Sequence, residues 1–542
     1  MSDWISQLNS SGLLPPLPEQ EALSVAQQLR QVSGLEVYQR SIVSAHRALF
    51  FLTREAMGGA QSGQQQLGIL YADRDPVLDG FLGAERHVQA AGRGLRLLLC
   101  PTTYANAIVL HRALPFTKPQ VLGLRTSAGC GDRLGMATPG HVRAIRKTQI
   151  APIYAQQSIR EMERTNRTPM DVVNDGTWGV FQEGWRGGYG ADADHLKDTA
   201  SIDACVAAGF TFYTFDPRDH VDNAAHTDAL PTLRKKFAAL PWDRLTDADG
   251  APMHATRMRQ RYLRSSAIEG APTIELGENT LLRAACKYGK ALAYVAELYR
   301  HLVHKIGDQP FEVEVSVDET ETTTSPEEHF FVASELKQLG VEWVSLAPRY
   351  VGRFEKGVDY IGDLAQFEAQ VAQHAAIARA CGPYKLSIHS GSDKFSIYPI
   401  IARLTRGLVH LKTAGTSYLE ALRTIATIDP RLFRDILEFA FEHYDEDKAT
   451  YYVSADPALA PHGRDLGDHD LITVLDNFHA RQILHVTFGS VLTNQDRQGR
   501  WLFRDRLFAA LQSDPEAYYR AVEAHFDRHL QAFQLDPAAQ NL

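Results

Sequence analysis

The chain has 542 residues, with 65 acidic and 56 basic side chains, a formal net charge of -9 and no basic tract; this argues against a nucleic-acid partner and allows more than one simple domain. Its five cysteines, Cys100, Cys130, Cys205, Cys286 and Cys381, include no CxxC pair, which excludes a zinc ribbon or disulfide framework and predicts buried, reduced thiols. The amino-terminal run has no basic segment ahead of an apolar one, and no stretch approaches the ~18 apolar residues of a membrane span; a soluble cytoplasmic protein without membrane association is expected, its oligomeric state left open.

In chain order, residues 1–115 read as an amino-terminal extension or cap. They hold a short helix, a proline-rich turn at 14–18, a longer helix from Glu21, and strands at 67–71 and 95–100. Residues 116–542 read as the main domain, with a polar helical insertion around 221–275. A strand at 121–125 leads into GCGDRLG, whose spacing is not GxGxxG, so nucleotide binding is not expected. His141 and Arg143 read as ordinary solvent-facing residues. GGYGADADHLKD, residues 187–198, sets Asp192, Asp194 and His195 ahead of a helical pattern. Two roles compete there. The aspartates can cap the helix, or Asp194 and His195 can supply a base and a metal ligand from one loop.

Residues 210–215 read as a buried strand, and residues 271–307 as a long, interrupted helical region. In the next strand, 311–317, Glu312, Glu314, Ser316 and Asp318 alternate with Val313, Val315 and Val317, placing acids and valines on opposite faces. Ser325, Pro326 and Glu328 then form a capping-box start for a helix. Further strands at 342–346, 384–389, 407–411, 451–454 and 483–488 make eight candidates with the strands at 121–125, 210–215 and 311–317. Helical patterns separate them, at 363–381, from about 417, and after Asp429–Pro430. The alternation predicts an α/β fold, a TIM-like (β/α)8 barrel with an amino-terminal extension and inserted helical segments.

Chemistry in such a barrel gathers at the carboxyl ends of the strands. Lys385, Ser387 and His389 share one face of their strand, and His410 and Lys412 share one face of the next. His195, His389 and His410, assisted by a carboxylate from Glu314, Asp318 or Glu319, are candidate ligands for a divalent cation, and imidazole–carboxylate coordination accepts several such ions. Arg349, Lys385, Lys394 and Lys412 are candidates to neutralise a substrate carboxylate or polarise an oxygen, with ion pairing as the competing role.

Five stretches, GGYGADADHLKD, FEVEVSVDETETTTSPEEHFF, WVSLAPRYVGRFEKGVDYIGD, KLSIHSGSDKFSIYP and HLKTAGTSYLEALR, together resemble the tagaturonate epimerase family, also called tagaturonate/fructuronate epimerases, over most of the chain. The resemblance implies a metal-dependent enzyme acting on the hexuronates D-tagaturonate and D-fructuronate. It implies a proton acceptor and a metal ligand in Asp194 and His195, further imidazole ligands in His389 and His410, and a proton donor within the acidic segment 314–319. Glu319, on the loop over the cavity, is the first choice as donor and Glu314 its competitor. The two sugar acids differ at the carbon β to the ketone, whose hydrogen the carbonyl does not acidify. Retro-aldol cleavage, aldehyde rotation and re-addition is the expected route; transient hydride transfer would also invert the centre, but the chain lacks a nicotinamide-binding signature. The alternatives are a metal-dependent sugar-acid aldolase or isomerase, and a noncatalytic sugar-acid binding protein.

Overall fold

The computed structural model describes residues 10–54, 64–90, 92–263, 265–266, 268, 273–413 and 415–534. The expected short helix ahead of residue 14 falls largely outside that set, and residues 10–18 are irregular. The helix Glu19–Ser33 follows. It packs on an antiparallel sheet in the order Glu36–Val37, Ala48–Arg54, Gln65–Tyr71, Arg93–Pro101, Ala84–Ala90, with Val43–Ala45 paired beside Ala48–Arg54. Alternation in Ala48–Arg54 feeds two cores: Leu49 and Phe51 meet Val25 and Leu29 of the helix, whereas Phe50 and Leu52 meet Leu110, Trp178 and Phe181 on the barrel side. Burying one such side chain contributes about 1.5–3 kcal/mol, so the sheet is fastened to the barrel through its second face.

Eight parallel strands close the barrel: β1 Ser127–Gly131, β2 Ala151–Ser158, β3 Gly190–Leu196, β4 Phe212–Phe215, β5 Glu312–Val317, β6 Ser345–Pro348, β7 Lys385–Ile388 and β8 Val409–Thr413. Closure pairs β8 with β1, His410 opposite Ser127 and Lys412 opposite Gly129. A Cβ on Gly129 would come within 2.1 Å of Gln156 Oε1, so a larger residue there would displace the end of that side chain. The valines of β5 join the outer core, and Glu312, Glu314 and Ser316 turn inward, as the alternation predicts.

Three predicted strands need correction. Residues 121–125 precede β1 and form no strand; the backbone N–H groups of Leu122 and Gly123 donate instead to the Glu312 carboxylate, which closes the lower end of the barrel. Residues 451–454 are irregular, and Ser454 N–H donates to the side chains of Glu355 and Gln482 at 3.0 and 3.2 Å. Most of residues 483–488 belongs to the helix Phe478–Val486, capped by Asn477. In their place stand β1, β2 and β3. GGYGADADHLKD is thus mostly strand rather than loop, and the helix that follows is capped by Asp198, not by Asp192 or Asp194. The interrupted helical region contains one 29-residue helix, Glu278–Ile306. His141 is buried rather than solvent-facing, and Arg143 pairs with Glu183 and Glu516, both at 2.8 Å.

Other local signals hold. Ser325 and Glu328 form the capping box, and Asp429 caps the helix Pro430–Asp447. The region 221–275 carries the helices Leu230–Ala238 and Ala255–Tyr262. Its helices and those after β8 pack outside the strands, the latter around a core of their own that includes Leu422, Phe433 and Leu484. The five cysteines are free thiols, four of them buried. No helix among the described residues is long and apolar enough to cross a membrane.

Candidate active site

The barrel interior is polar because acids and a lysine occupy the inward positions of β3, β5 and β8. Lys412 Nζ lies 2.9 Å from Asp192, 2.7 Å from Asp194 and 2.9 Å from Glu314, and it donates to Thr214 Oγ1 at 2.6 Å. An ammonium cut off from water is stable only with such partners. Burial opposes the charge on Lys412, but the three carboxylates outweigh it and hold its pKa well above the usual lysine value. Burial also opposes charge on Asp194 and Glu314; His195 and Lys412 in the first case, Lys412 and His389 in the second, keep both well below the usual carboxylate range. Asp192 goes the other way. Burial, with the negative charges of Asp194 and Glu314, pushes it up to about 7 against the pull of Lys412.

Above this layer, His195 and His389 face each other with ring centroids 4.9 Å apart. His195 Nδ1–H donates to Asp194 at 2.7 Å and His389 Nε2–H donates to Glu314 at 2.7 Å. Each ring therefore has one nitrogen fixed by a carboxylate and the other directed outward, the arrangement in which carboxylates orient metal-binding imidazoles. The outward atoms lie 3.5 Å from Glu319 and 3.3 Å from Asp318 respectively. Ligand atoms of His195, Asp318 and His389 fall within 4.8 Å of one another. Two imidazoles and a carboxylate are a suitable donor set for a divalent transition metal. Burial alone would lower the His389 pKa, but Asp318 and Glu314 hold it up to about 10. His195 adopts a positive φ of 55°, a conformation uncommon outside glycine that marks a backbone fixed by its surroundings.

His410 lies elsewhere. It is fully buried, accepts or donates to Ser127 Oγ at 2.9 Å and packs on Phe212; burial lowers its pKa to about 3. It is outside the three-residue group, although its Nε2 has no partner among the described residues. Lys385 donates to the same Ser127 hydroxyl at 3.0 Å, and burial lowers it to about 8. Lys394 is held by the carbonyl oxygens of Glu355, Val358 and Ser392. Lys412 serves as the counter-charge already described. Of these four predicted substrate cations, only Arg349 reaches open space.

That space is a cleft of about 380 Å³ lined by Asp318, Glu319, His389, Arg349, Arg160 and Lys356, among others. A neighbouring cleft of about 260 Å³ reaches His195 and Arg218. Arg218 contacts both Asp216 and Glu319. A larger cleft of about 780 Å³ lies under the amino-terminal sheet, far in chemistry from this constellation; its Arg40, Arg54 and Arg143 are already ion-paired. The sequence presents Asp192 only as a helix cap and does not single out Arg160 or Lys356. Asp192 would have emerged once the segment was read as a strand, since it shares a face with Asp194; Arg160 and Lys356 carry no local signal.

Residues 38–533 match the family model described as tagaturonate epimerase. The chain belongs to the tagaturonate epimerase family. It is 41% identical over 497 residues to a tagaturonate/fructuronate epimerase of Thermotoga maritima, covering 92% of this chain and 96% of that one. The native crystal structure of the fructuronate-tagaturonate epimerase UxaE from Cohnella laeviribosi matches with a TM-score of 0.84 at 36% identity, over 95% of this chain and 99% of that one. A form of the same enzyme with one glycerol gives 0.83 at the same identity and coverage. The resemblance read from the five stretches is thereby confirmed. Membership of this family makes the chain a carbohydrate epimerase rather than a noncatalytic binding protein.

Proposed function

We propose that this epimerase interconverts D-tagaturonate and D-fructuronate, using a divalent cation held by His195, Asp318 and His389. The observation that carries the reading is the meeting of those three ligand atoms within 4.8 Å, directly above the ionised Asp194 and beside a cleft of substrate size. The cation would supply Lewis acidity toward the substrate ketone.

Counting from the hydroxymethyl end, the ketone is carbon 2 and the inverted centre is carbon 4. Asp194, kept ionised by Lys412 and His195, accepts the proton of the carbon-4 hydroxyl. The bond between carbons 3 and 4 breaks, leaving an enediolate on the three-carbon ketone fragment and an aldehyde on the three-carbon acid fragment. After the aldehyde turns over, carbon 3 re-attacks its other face, and the new alkoxide takes a proton from Glu319. The reverse reaction exchanges the two roles. Positioned proton transfer of this kind contributes typically 10²–10⁴-fold, and Glu314, fixed on His389 and Lys412, holds the imidazole rather than facing the cleft.

NMR of purified protein with D-tagaturonate tests the assignment. Metal-loaded protein is expected to form D-fructuronate, chelated protein to form none, and Asp194→Asn to lose about 10²–10⁴-fold in turnover while still folded. No product from folded, metal-loaded protein would refute the activity. Labelled dihydroxyacetone added during turnover should enter the product if the carbon–carbon bond opens and the fragment exchanges. Loss of deuterium from carbon 4 would instead sink the retro-aldol route.

A further inference from the structure

Cations near the barrel mouth are mostly neutralised by acids. Lys412 has three carboxylates, Arg218 has Asp216, and Arg133 has Glu161 at 2.7 Å. Arg160, Arg349 and Lys356 differ. Each is partly buried and lines the 380 Å³ cleft, and among the described residues none has a carboxylate within ion-pair distance. Arg349 donates to the backbone oxygen of Asp318 at 3.1 Å. Lys356 donates to Ser390 Oγ at 2.8 Å, and Arg160 lies over the Tyr451 ring at 5.5 Å.

Withdrawing a cation from water without a counter-charge is costly, and three such groups around one cavity make a place for an anion. Their chain positions fix where that anion sits. Arg349 directly follows β6 and touches Asp318, Lys356 is anchored one residue beyond His389, and Arg160 is the second residue of the short helix Ile159–Thr165 after β2. The cations thus line the same cleft as Asp318 and His389 of the proposed metal group. A sugar acid spanning the cleft can place its ketone end beside Asp318 and His389 and its carboxylate among the three cations.

Building on the proposed function, we propose that Arg160, Arg349 and Lys356 form the subsite that binds the substrate carboxylate, with Arg160 and Lys356 setting the preference for sugar acids over neutral ketoses. Charge-assisted hydrogen bonds to a carboxylate are the strong ones, and guanidinium adds a planar fork matched to that group.

Calorimetric titration of the full chain with D-galactonate and with galactitol tests this. Both probes are six carbons long and lack the ketone, so neither turns over, and they differ in the carboxylate. Wild type is expected to bind D-galactonate at least tenfold more tightly. Lys356→Met and Arg160→Met should each weaken it by roughly 10- to 100-fold and leave galactitol within about twofold. Lys356→Arg should restore most of the preference. Arg353→Met is the control, since Arg353 lines the same cleft but is exposed and pairs with Glu355 at 3.3 Å; it should change neither probe. A wild type without preference, including one that binds neither probe measurably, overturns the proposal, as does a preference that survives both methionine variants. If Lys356→Met does not fold, Arg160→Met and Lys356→Arg still decide. Intact preference in a protein that fails to convert D-tagaturonate would refute the assigned reaction and leave the subsite standing.

Discussion

Two clusters in this molecule use the same residue types to opposite ends. At the barrel mouth, His195, Asp318 and His389 bring ligand atoms within 4.8 Å; behind the loop after β7, Asp393, His525 and His529 do the same. In the second cluster the lone pairs are largely committed. His529 Nε2 accepts the Asp393 backbone N–H at 2.9 Å, and its Nδ1–H donates to the His525 carbonyl at 3.1 Å. Asp393 takes Arg481 at 3.0 Å, and Arg481 is tied to the carbonyls of Gly357 and Leu475. The cluster joins the carboxyl-terminal helix Pro515–Leu530 to the loop that carries His389. At the mouth, His195 and Asp318 are partly exposed, and the two clefts between them reach all three residues. Access to the cleft, not composition, separates a reactive site from a brace.

The widest separation should come from the central cation of each cluster. Lys412→Met strands two ionised carboxylates and is expected to cost about 3–5 kcal/mol in denaturant unfolding, and to reduce turnover at least about a thousandfold per folded molecule. Arg481→Met should cost a similar amount of stability but leave turnover per folded molecule within about tenfold. Equal losses of turnover would erase the distinction. Next comes metal content after dialysis, with one ion per chain expected. His389→Gln should weaken divalent-ion binding by at least about a hundredfold, and His529→Gln should leave it unchanged. A second ion lost only in His529→Gln would show that the brace is also a metal site.

The smallest effect concerns acid. Burial opposes the charge on Asp393, but Arg481 and His525 overcome it and hold the carboxyl well below its ordinary range. An unfolded aspartate titrates near pH 4. The folded state therefore binds fewer protons below that pH, and the stabilisation is present above about pH 4 and lost as pH falls toward the folded value. Asp393→Asn should flatten the acid limb of unfolding by up to about 1.4 kcal/mol per pH unit. An unchanged limb would mean that the brace carries no net charge coupling.

Much of this architecture is legible where strands follow the usual alternation. β5 announces itself because its valines and acids separate cleanly by face. β3 hides because its outward residues are only alanines and its inward ones are acids, so GADADHL reads as a polar loop. β1 hides for a related reason: SAGCG has little side chain to show, and the glycine beside Gln156 is itself a turn signal. The apolar run at 483–488 misleads because short apolar runs fit a buried helix as well as a strand. In the site, Asp194, His195, His389 and Glu319 could be found by position at strand ends. Lys412 was found too, but its role depends on three acids that only barrel closure gathers. Arg160 and Lys356 had no sequence signal, since their distinction is the lack of an acidic neighbour in space.

The pairing of β8 with β1 joins segments separated by more than 270 residues, and this orders the birth of the site. During synthesis Asp192, Asp194 and Glu314 leave the ribosome long before Lys412. Their shared counter-ion arrives on the strand that shuts the cylinder. Until then the three acids can be hydrated or protonated, but they cannot be enclosed as they are in the finished enzyme. The last staves and the charge balance are therefore completed in one event, and a nascent chain ending before β8 has neither.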